Sequence, residues 1–174
     1  MENNKKIIGL FTTLILSTGF MFGCGAETPS PKEEVVSSAS ISNNSSDLVT
    51  HLGINGGWIF AATSDLTVAE GLVVDGDFHD KGIETNDLYR KLALYTQDAE
   101  RNVEEEFILT LENGMVVKSP NFNVMHGTIV GDIYVEAEGF QLNANLDGNL
   151  TFATDALKNT AEINGEVTGE ISVK

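Results

Sequence analysis

Basic residues and cysteines are scarce in this chain: 10 lysines and arginines stand against 26 aspartates and glutamates, and Cys24 is the only cysteine. So acidic a surface repels phosphate backbones, which argues against nucleic-acid binding and favours cations or basic proteins as partners. The apolar run at residues 7–23 holds 17 residues. A membrane-spanning helix needs roughly 20 mostly apolar residues, so a retained transmembrane helix is the weaker interpretation of this run.

Sequence motifs for catalysis and for transition-metal binding are also missing. His51, His79 and His126 lie far apart and show neither HxH nor HxxH spacing, which leaves a zinc-type site without local support. There is no G-x-S-x-G motif for a serine hydrolase, and no marked pair of carboxylates for glycoside hydrolysis. The sequence therefore favours a non-enzymatic protein without a cofactor.

The N-terminus shows the charged and apolar regions of a secretory signal in the expected order. MENNKK precedes the apolar run, and Met21-Phe22-Gly23-Cys24 ends it. The segment resembles a bacterial lipoprotein signal, in which cleavage precedes a cysteine that carries lipid. The resemblance implies that residues 1–23 are removed and that lipidated Cys24 anchors the protein outside the cytoplasm, on the bacterial membrane. Lipidation also explains a lone cysteine in a secreted protein, and two or three acyl chains make a stable anchor.

A polar segment follows the cysteine. Residues 25–47 are rich in serine, asparagine and proline and are too polar to bury a core. We therefore expect residues 24–47 to form a disordered tether and residues 48–174 to form one β-rich domain. Without residues 1–23 the chain has 8 basic and 25 acidic residues, a net charge of −17. That charge would keep the domain away from anionic headgroups.

The domain repeats a pattern of hydrophobic residue, any residue, glycine, acid or amide, and hydrophobic residue. The clearest copies are TIVGDIYV at 128–135, ANLDGNLTF at 144–152 and GEVTGEISV at 165–173, and weaker ones are VVDGDF at 73–78 and INGGWIF at 54–60. Strand alternation would place each glycine on the apolar face. The glycines at 56, 76, 131, 148 and 169 include steps near 20 residues. Such steps predict a short right-handed β-solenoid, with about three less regular coils between 76 and 131.

Another fold would produce much of the same pattern. LDGNL, VDGDF, INGEV and LTLENGMVV carry Asp-Gly or Asn-Gly between alternating apolar residues, which is typical of hairpins and of an antiparallel β-sandwich. In the middle of the domain, Leu88, Leu92 and Tyr95 also fit a short helix. The region 79–125 therefore stays open between irregular coils and an inserted hairpin and helix.

The segments GTIVGDIYV and GEVTGEISV resemble the β-helix rungs of bactofilins, the polymer-forming cytoskeletal proteins of bacteria. The resemblance covers about 126–174, the most regular repeats, with a weak echo at 72–78. It implies a solenoid able to associate end to end, and it carries over no catalytic residue. The final repeat, GEISVK, has no helix after it in this sequence, so its edge could template a second chain.

Asp75, Asp77, His79 and Asp80 crowd together in sequence and suggest a loose cation site. They do not fit an EF-hand, because neither the glycine at the sixth position nor the glutamate at the twelfth is present.

Trp58 and Tyr134 are the candidate aromatic residues for stacking on a sugar. Tyr134 lies on the polar face of its predicted strand, whereas Trp58 also fits the core. Stacked coils would bring Asp132, Asn149 and Glu170 into an outward ladder about 4.8 Å apart per step.

Arg90, Lys91 and Arg101 are among the few basic residues, and we expect them to pair with Glu104, Glu105 and Glu106. Taken together, these features predict a lipid-anchored bacterial surface protein with a structural or interaction role, such as a self-associating scaffold. The alternative is a surface module that binds a glycan or a cation.

Overall fold

The computed structural model describes residues 40–174, which form mainly β-structure, as expected. Sheet A has the order β1 (Ser40–Ser42), β2 (Ile59–Ala62), β5 (Arg90–Ala93), β10 (Phe122–Val130), β12 (Gln141–Asp147) and β14 (Glu162–Ile163). β3 (Leu66–Val68) pairs with β8 (Ile108–Leu111), which pairs with the second half of β10. Sheet B has the order β4 (Leu72–Val74), β9 (Met115–Val117), β11 (Ile133–Val135), β13 (Leu150–Phe152) and β15 (Ile171–Val173).

The remaining elements are short. β6 (Tyr95–Gln97) and β7 (Val103–Glu106) form an antiparallel hairpin. α1 (Ser45–Leu52) and α2 (Asp155–Thr160) are the two α-helices of the described residues, and Asp80–Gly82 is a 3-10 turn. None of the helices within residues 40–174 has the length and hydrophobicity needed to span a bilayer.

The chain builds both sheets in five passes, each of which runs from sheet A to sheet B. We number them pass 1 (59–74), pass 2 (90–117), pass 3 (122–135), pass 4 (141–152) and pass 5 (162–173). In sheet B, Met115, Ile133, Leu150 and Ile171 are register partners, separated by 18, 17 and 21 residues. The steps near 20 residues that the sequence predicts are thus parallel pairings between successive passes.

Parallel pairing corrects the hairpin interpretation. The strands on either side of Asn113-Gly114, β8 and β9, lie in different sheets and do not pair with each other. The same holds for β12 and β13, which flank the LDGNL segment. The antiparallel β-sandwich is therefore wrong for these two sheets, and antiparallel pairing within the described residues is confined to β6–β7 and the His79–Leu88 bridge.

Between the repeat copies at 73–78 and 128–135 the chain makes one pass, with two segments that leave the stack. The expectation of three coils there is wrong. Residues 75–89 leave the stack after β4, and the β6–β7 hairpin is inserted between β5 and β8. The copy at 54–60 also fails as a repeat, because Ile54 is 64% exposed and the strand in this segment, β2, begins only at Ile59. The parallel stack continues past these insertions, with a register shift between Met125 and Thr128 where β10 changes its partner from β5 to β8.

The core lies between the two sheets and is filled by the alternating apolar residues. Ile129, Ile133, Leu146, Leu150 and Phe152 are buried, as predicted. Burial of each such side chain contributes about 1.5–3 kcal/mol to folding.

Glycines stack where the chain turns from sheet A to sheet B. A Cβ on Gly148 would overlap the carbonyl oxygen of Gly131, and one on Gly169 would overlap that of Gly148. Gly131 in addition has a φ of 129°, which side chains rarely allow. Glycines at the corners are confirmed, but their predicted inward position is not, since a Cβ would point at the backbone of the preceding pass and Gly169 is exposed. Close contact between passes is the reason for these glycines.

The N-terminal end of the core is covered. β1 pairs with the outer edge of β2, and α1, capped by the Asn44 side chain, buries Leu48 and Leu52 completely. Ordered structure therefore includes residues 40–47, which the sequence assigned to the tether.

Arg90 connects α1 and the loop after it to the residues that follow β4 and β9. Its side chain is fully buried and donates hydrogen bonds to oxygens of five residues: His51, Gly53, Gly57, Asp75 and Ser119. Its guanidinium lies 4.1 Å from the centroid of the Phe78 ring. Burial lowers the pKa of Arg90 to about 10, so the group stays charged at neutral pH. The predicted pairing with glutamates is wrong, since neither Arg90, Lys91 nor Arg101 makes a salt bridge within residues 40–174. Nζ of Lys91 instead donates to the Tyr95 hydroxyl at 3.2 Å.

Candidate interaction surface

The strands of pass 5 form the C-terminal end of both sheets. Within residues 40–174, β14 pairs only with β12, and β15 pairs only with β13. Leu150 is fully buried, but its register partner Ile171 is 36% exposed. The apolar side chains of pass 5 thus have a layer of core on one side only. Within residues 40–174 no strand pairs with the outer edge of β15, where Nζ of Lys158 donates to the carbonyl oxygen of Ile171 at 3.4 Å.

A ladder of polar side chains connects passes 3, 4 and 5 along sheet B. The backbone N–H and the side-chain Nδ2 of Asn149 donate to Oδ1 of Asp132 at 2.8 and 3.0 Å. The backbone N–H of Glu170 donates to Oδ1 of Asn149 at 2.9 Å. The predicted ladder is confirmed, and it holds the last pass in register even where burial is weak.

Sheet A carries a second ladder, which the sequence analysis missed. Nδ2 of Asn143 donates to Oδ1 of Asn123 at 2.9 Å, and Nδ2 of Asn164 donates to Oδ1 of Asn143 at 2.7 Å. Asn123, Asn143 and Asn164 are separated by 20 and 21 residues. That spacing matches the glycine steps and was the available signal.

The outward face of sheet B forms a shallow groove of about 610 Å³. Tyr134, Thr151 and Ser172 lie along its floor in adjacent strands, and Asp132 and Asn149 line it as well. Tyr134 is half-buried, on the outward face that the sequence predicted. The groove therefore combines one aromatic ring with hydroxyl, amide and carboxylate groups.

Charged residues flank β15 at both ends. Glu170 precedes the strand, Lys174 follows it, and both are exposed and line the groove. Nζ of Lys174 lies 5.3 Å from the centroid of the Tyr134 ring, a cation–π distance. Neither Glu170 nor Lys174 makes a salt bridge within the described part of the chain.

The acidic segment predicted as a cation site does not form a strand, because β4 ends at Val74. Asp75 is half-buried and Asp77 is exposed. Nδ1 of His79 lies 2.6 Å from the carbonyl oxygen of Asn86, and Asp80 pairs with Lys81 at 3.8 Å. Between residues 40 and 174, no three His, Cys, Asp or Glu side chains are grouped so that they could hold a metal ion.

Trp58 and Tyr134 are not brought together. Trp58 immediately precedes β2 of sheet A, half-buried, with its ring centroid 6.4 Å from that of Tyr89. Tyr134 belongs to β11 of sheet B. Cys24, the predicted lipidation site, lies outside the described residues.

The chain matches no protein-family model, no curated protein and no solved structure.

Proposed function

We propose that this chain is a lipid-anchored, non-enzymatic protein of the bacterial surface that associates with itself through the open edge of pass 5. In this proposal the domain is a short right-handed β-solenoid, as in the bactofilin resemblance. Five passes in parallel register and the corner glycines support the solenoid. Its right hand follows the strong preference of parallel crossover connections.

The single observation that carries self-association is the strand edge of β15 beside a core that α1 covers only at its other end. β1 and α1 cover the first pass, with Leu48 and Leu52 fully buried. Ile171 of the last pass is partly exposed beside an unpaired strand edge within residues 40–174. Open strand edges attract further strands unless they are covered or blocked.

Light scattering and negative-stain microscopy of residues 25–174, prepared without lipid, test this function. We expect oligomers whose population rises with protein concentration and does not depend on added calcium. A strict monomer with and without calcium would contradict self-association.

The membrane attachment rests on the N-terminal sequence, in which Cys24 follows an apolar run. We expect the protein in the membrane fraction, with the mass of a lipid-modified N-terminal peptide beginning at Cys24. The variant Cys24→Ser should lose this modification. Retention of the modification in that variant would show that the lipid is attached elsewhere.

The groove on sheet B favours a second candidate function, binding of an envelope glycan. Tyr134 offers a partly exposed ring, and Asn149, Thr151 and Ser172 offer polar groups in adjacent strands. Sugars commonly stack on an aromatic ring and hydrogen-bond with such groups. A glycan screen with the variant Tyr134→Ala tests it, with Tyr89→Ala as a control on sheet A. Binding that is equal in both variants would argue against the groove.

A further inference from the structure

The segment from Glu170 to Lys174 has a charge pattern that is complementary to itself when reversed. Glu170, Ser172 and Lys174 line the outward face of sheet B. Val173 packs against the core, and strand alternation places Ile171 on the same side, where it is 36% exposed. The acid and the base lie equally far from Ser172. Two such segments running in opposite directions would place each acid opposite a base.

We infer that the partner at the pass 5 edge is a second copy of this chain, with β15 antiparallel to the β15 of the partner about a twofold axis at Ser172. This inference rests on the proposed function. Glu170 then faces Lys174 of the partner subunit, and Ile171 faces Val173 of the partner subunit. Ser172 faces Ser172 of the partner subunit. A twofold interface requires each contact to occur twice, and this arrangement satisfies that requirement.

The backbone is oriented for this pairing. The carbonyl of Glu170 accepts from Leu150 and the N–H of Lys174 donates to Phe152, so both of these groups point toward β13. Because backbone groups of successive residues in a strand point to opposite sides, those of Ile171 and Val173 point away from β13. Nζ of Lys158 donates to the carbonyl oxygen of Ile171 at 3.4 Å, so this side chain has to move aside when a second strand pairs there. In the inferred register these two residues form the hydrogen-bonded pairs across the interface.

The charges select one register among those that keep the apolar faces aligned. Side chains alternate, so a shift must be by two residues to keep Ile171 and Val173 on the core side. A shift of two in one direction places Glu170 opposite Ser172 of the partner subunit, and a shift in the other direction places Lys174 there. Only the central register joins opposite charges, which favours it over its neighbours.

The assembly closes at two copies, because both subunits use the same strand edge and pairing occupies it. At the other end of the core β1 is the edge strand of sheet A, with Ile41 67% exposed, and α1 covers the core beside β3 and β4. An interface that uses the same patch on both subunits forms a closed dimer. Since Glu170, Ser172 and Lys174 line the groove of sheet B, pairing would extend that groove into the partner.

Disulfide trapping in the full chain, expressed in bacteria and extracted in detergent, tests the register. Opposed residues of an antiparallel pair have Cα atoms about 4.5–5.5 Å apart, within disulfide range. We expect Ser172→Cys to form a crosslinked dimer whose disulfide peptide maps to residue 172. The matched control Thr151→Cys, one strand away from the edge, should not crosslink.

Charge reversal tests the pairing without relying on cysteine. Glu170→Lys and Lys174→Glu should each raise the dimer Kd about tenfold, since each affects two symmetric pairs. The double variant should restore the Kd, because both pairs are then re-formed with the signs exchanged. Glu112→Lys and Lys118→Glu are exposed controls with the same charge changes away from β15 and should leave the Kd nearly unchanged.

The outcomes separate this inference from the proposed function. A monomer under all conditions would overturn both. Oligomers that show neither the crosslink at 172 nor rescue in the double variant would overturn the twofold pairing and keep self-association. Assemblies larger than a dimer at high concentration would overturn closure. A dimer that crosslinks at 172 and is rescued by the double reversal would support the inference.

Discussion

The first two passes and the last three passes hold the same parallel stack together by different means. Passes 1 and 2 are separated by residues 75–89 and interrupted by the β6–β7 hairpin, and buried Arg90 joins their loops to α1. Passes 3 to 5 follow each other at steps of 17 and 21 residues and are joined by side-chain ladders. A stack can thus keep its register in two ways. One is a single buried side chain that binds several segments, here Arg90, which we call the hub, and the other is many small repeated contacts.

The two arrangements should fail differently. Loss of the hub removes the hydrogen bonds to five residues at once, and it leaves the carbonyl oxygens of Gly57 and Asp75 without their donor. Loss of one ladder contact removes about one hydrogen bond and leaves the neighbouring contacts in place. The largest effects of mutation on stability are therefore expected in the N-terminal passes.

Arg90→Met should have the largest effect. It removes a buried cation and leaves the carbonyl oxygens of Gly57 and Asp75 without their donor, whereas those of His51 and Gly53 keep one backbone donor each. We expect a loss of roughly 3 kcal/mol or more in the free energy of unfolding, measured by urea denaturation. Arg101→Met, at an exposed position, is the control and should change the free energy by less than about 0.5 kcal/mol. Equal effects of the two substitutions would refute the hub.

Gly148→Ala should have the next largest effect, because its Cβ would overlap the Gly131 carbonyl oxygen in the adjacent pass. Overpacking of this kind costs about 1–3 kcal/mol, and Gly148→Val should cost more. Gly71→Ala is the matched control, since a Cβ there would lie at an ordinary 3.7 Å from the Asn113 oxygen. Thermal unfolding of the two alanine variants gives the comparison. A Gly148→Ala variant as stable as wild type would rule out close packing at the corner.

Asn143→Ala should have a smaller and more local effect. It removes the contacts that Asn143 makes with Asn123 and Asn164, at about 1 kcal/mol for each hydrogen bond. Hydrogen exchange should rise in passes 4 and 5 and stay unchanged in pass 1. Asn55→Ala, in an exposed loop, is the control. Faster exchange throughout the domain would mean that the asparagine ladder stabilises the whole domain and not only passes 4 and 5.

The smallest expected effect is a pH dependence of stability through His51, in the helix α1 that covers the N-terminal end of the core. Burial lowers the pKa of His51 below its ordinary value of 6.5, so the folded state favours the neutral imidazole. The unfolded chain binds the proton more readily, and the stability that this group contributes is present above the unfolded pKa and is lost as the pH falls below it. As the pH is lowered from 7 to 5, the unfolding free energy of wild type should therefore fall relative to that of His51→Gln. A difference that is constant over this range would contradict the role of burial.

The regular half was more predictable than the irregular half, for a physical reason. Ile133, Leu150 and Gly148 repeat because each pass presents the same environment to the next, and a repeated environment leaves a repeated sequence pattern. The Asn123, Asn143 and Asn164 spacing carried the same kind of signal. Arg90 carried none, because its partners are mostly backbone carbonyl oxygens, which do not depend on the type of residue that supplies them.

The sequence by itself determined the β character of the domain, the inward face of passes 3 to 5 and the corner glycines, since these follow from alternation and spacing along the chain. Only the tertiary structure decided that Asn113-Gly114 and Asp147-Gly148 turn between sheets, that pass 2 carries a hairpin, and that α1 and β1 lie at one end of the core. Those outcomes depend on which strands meet in space. Local sequence cannot specify that meeting, because a short apolar strand can pair as well with a parallel neighbour as with an antiparallel one.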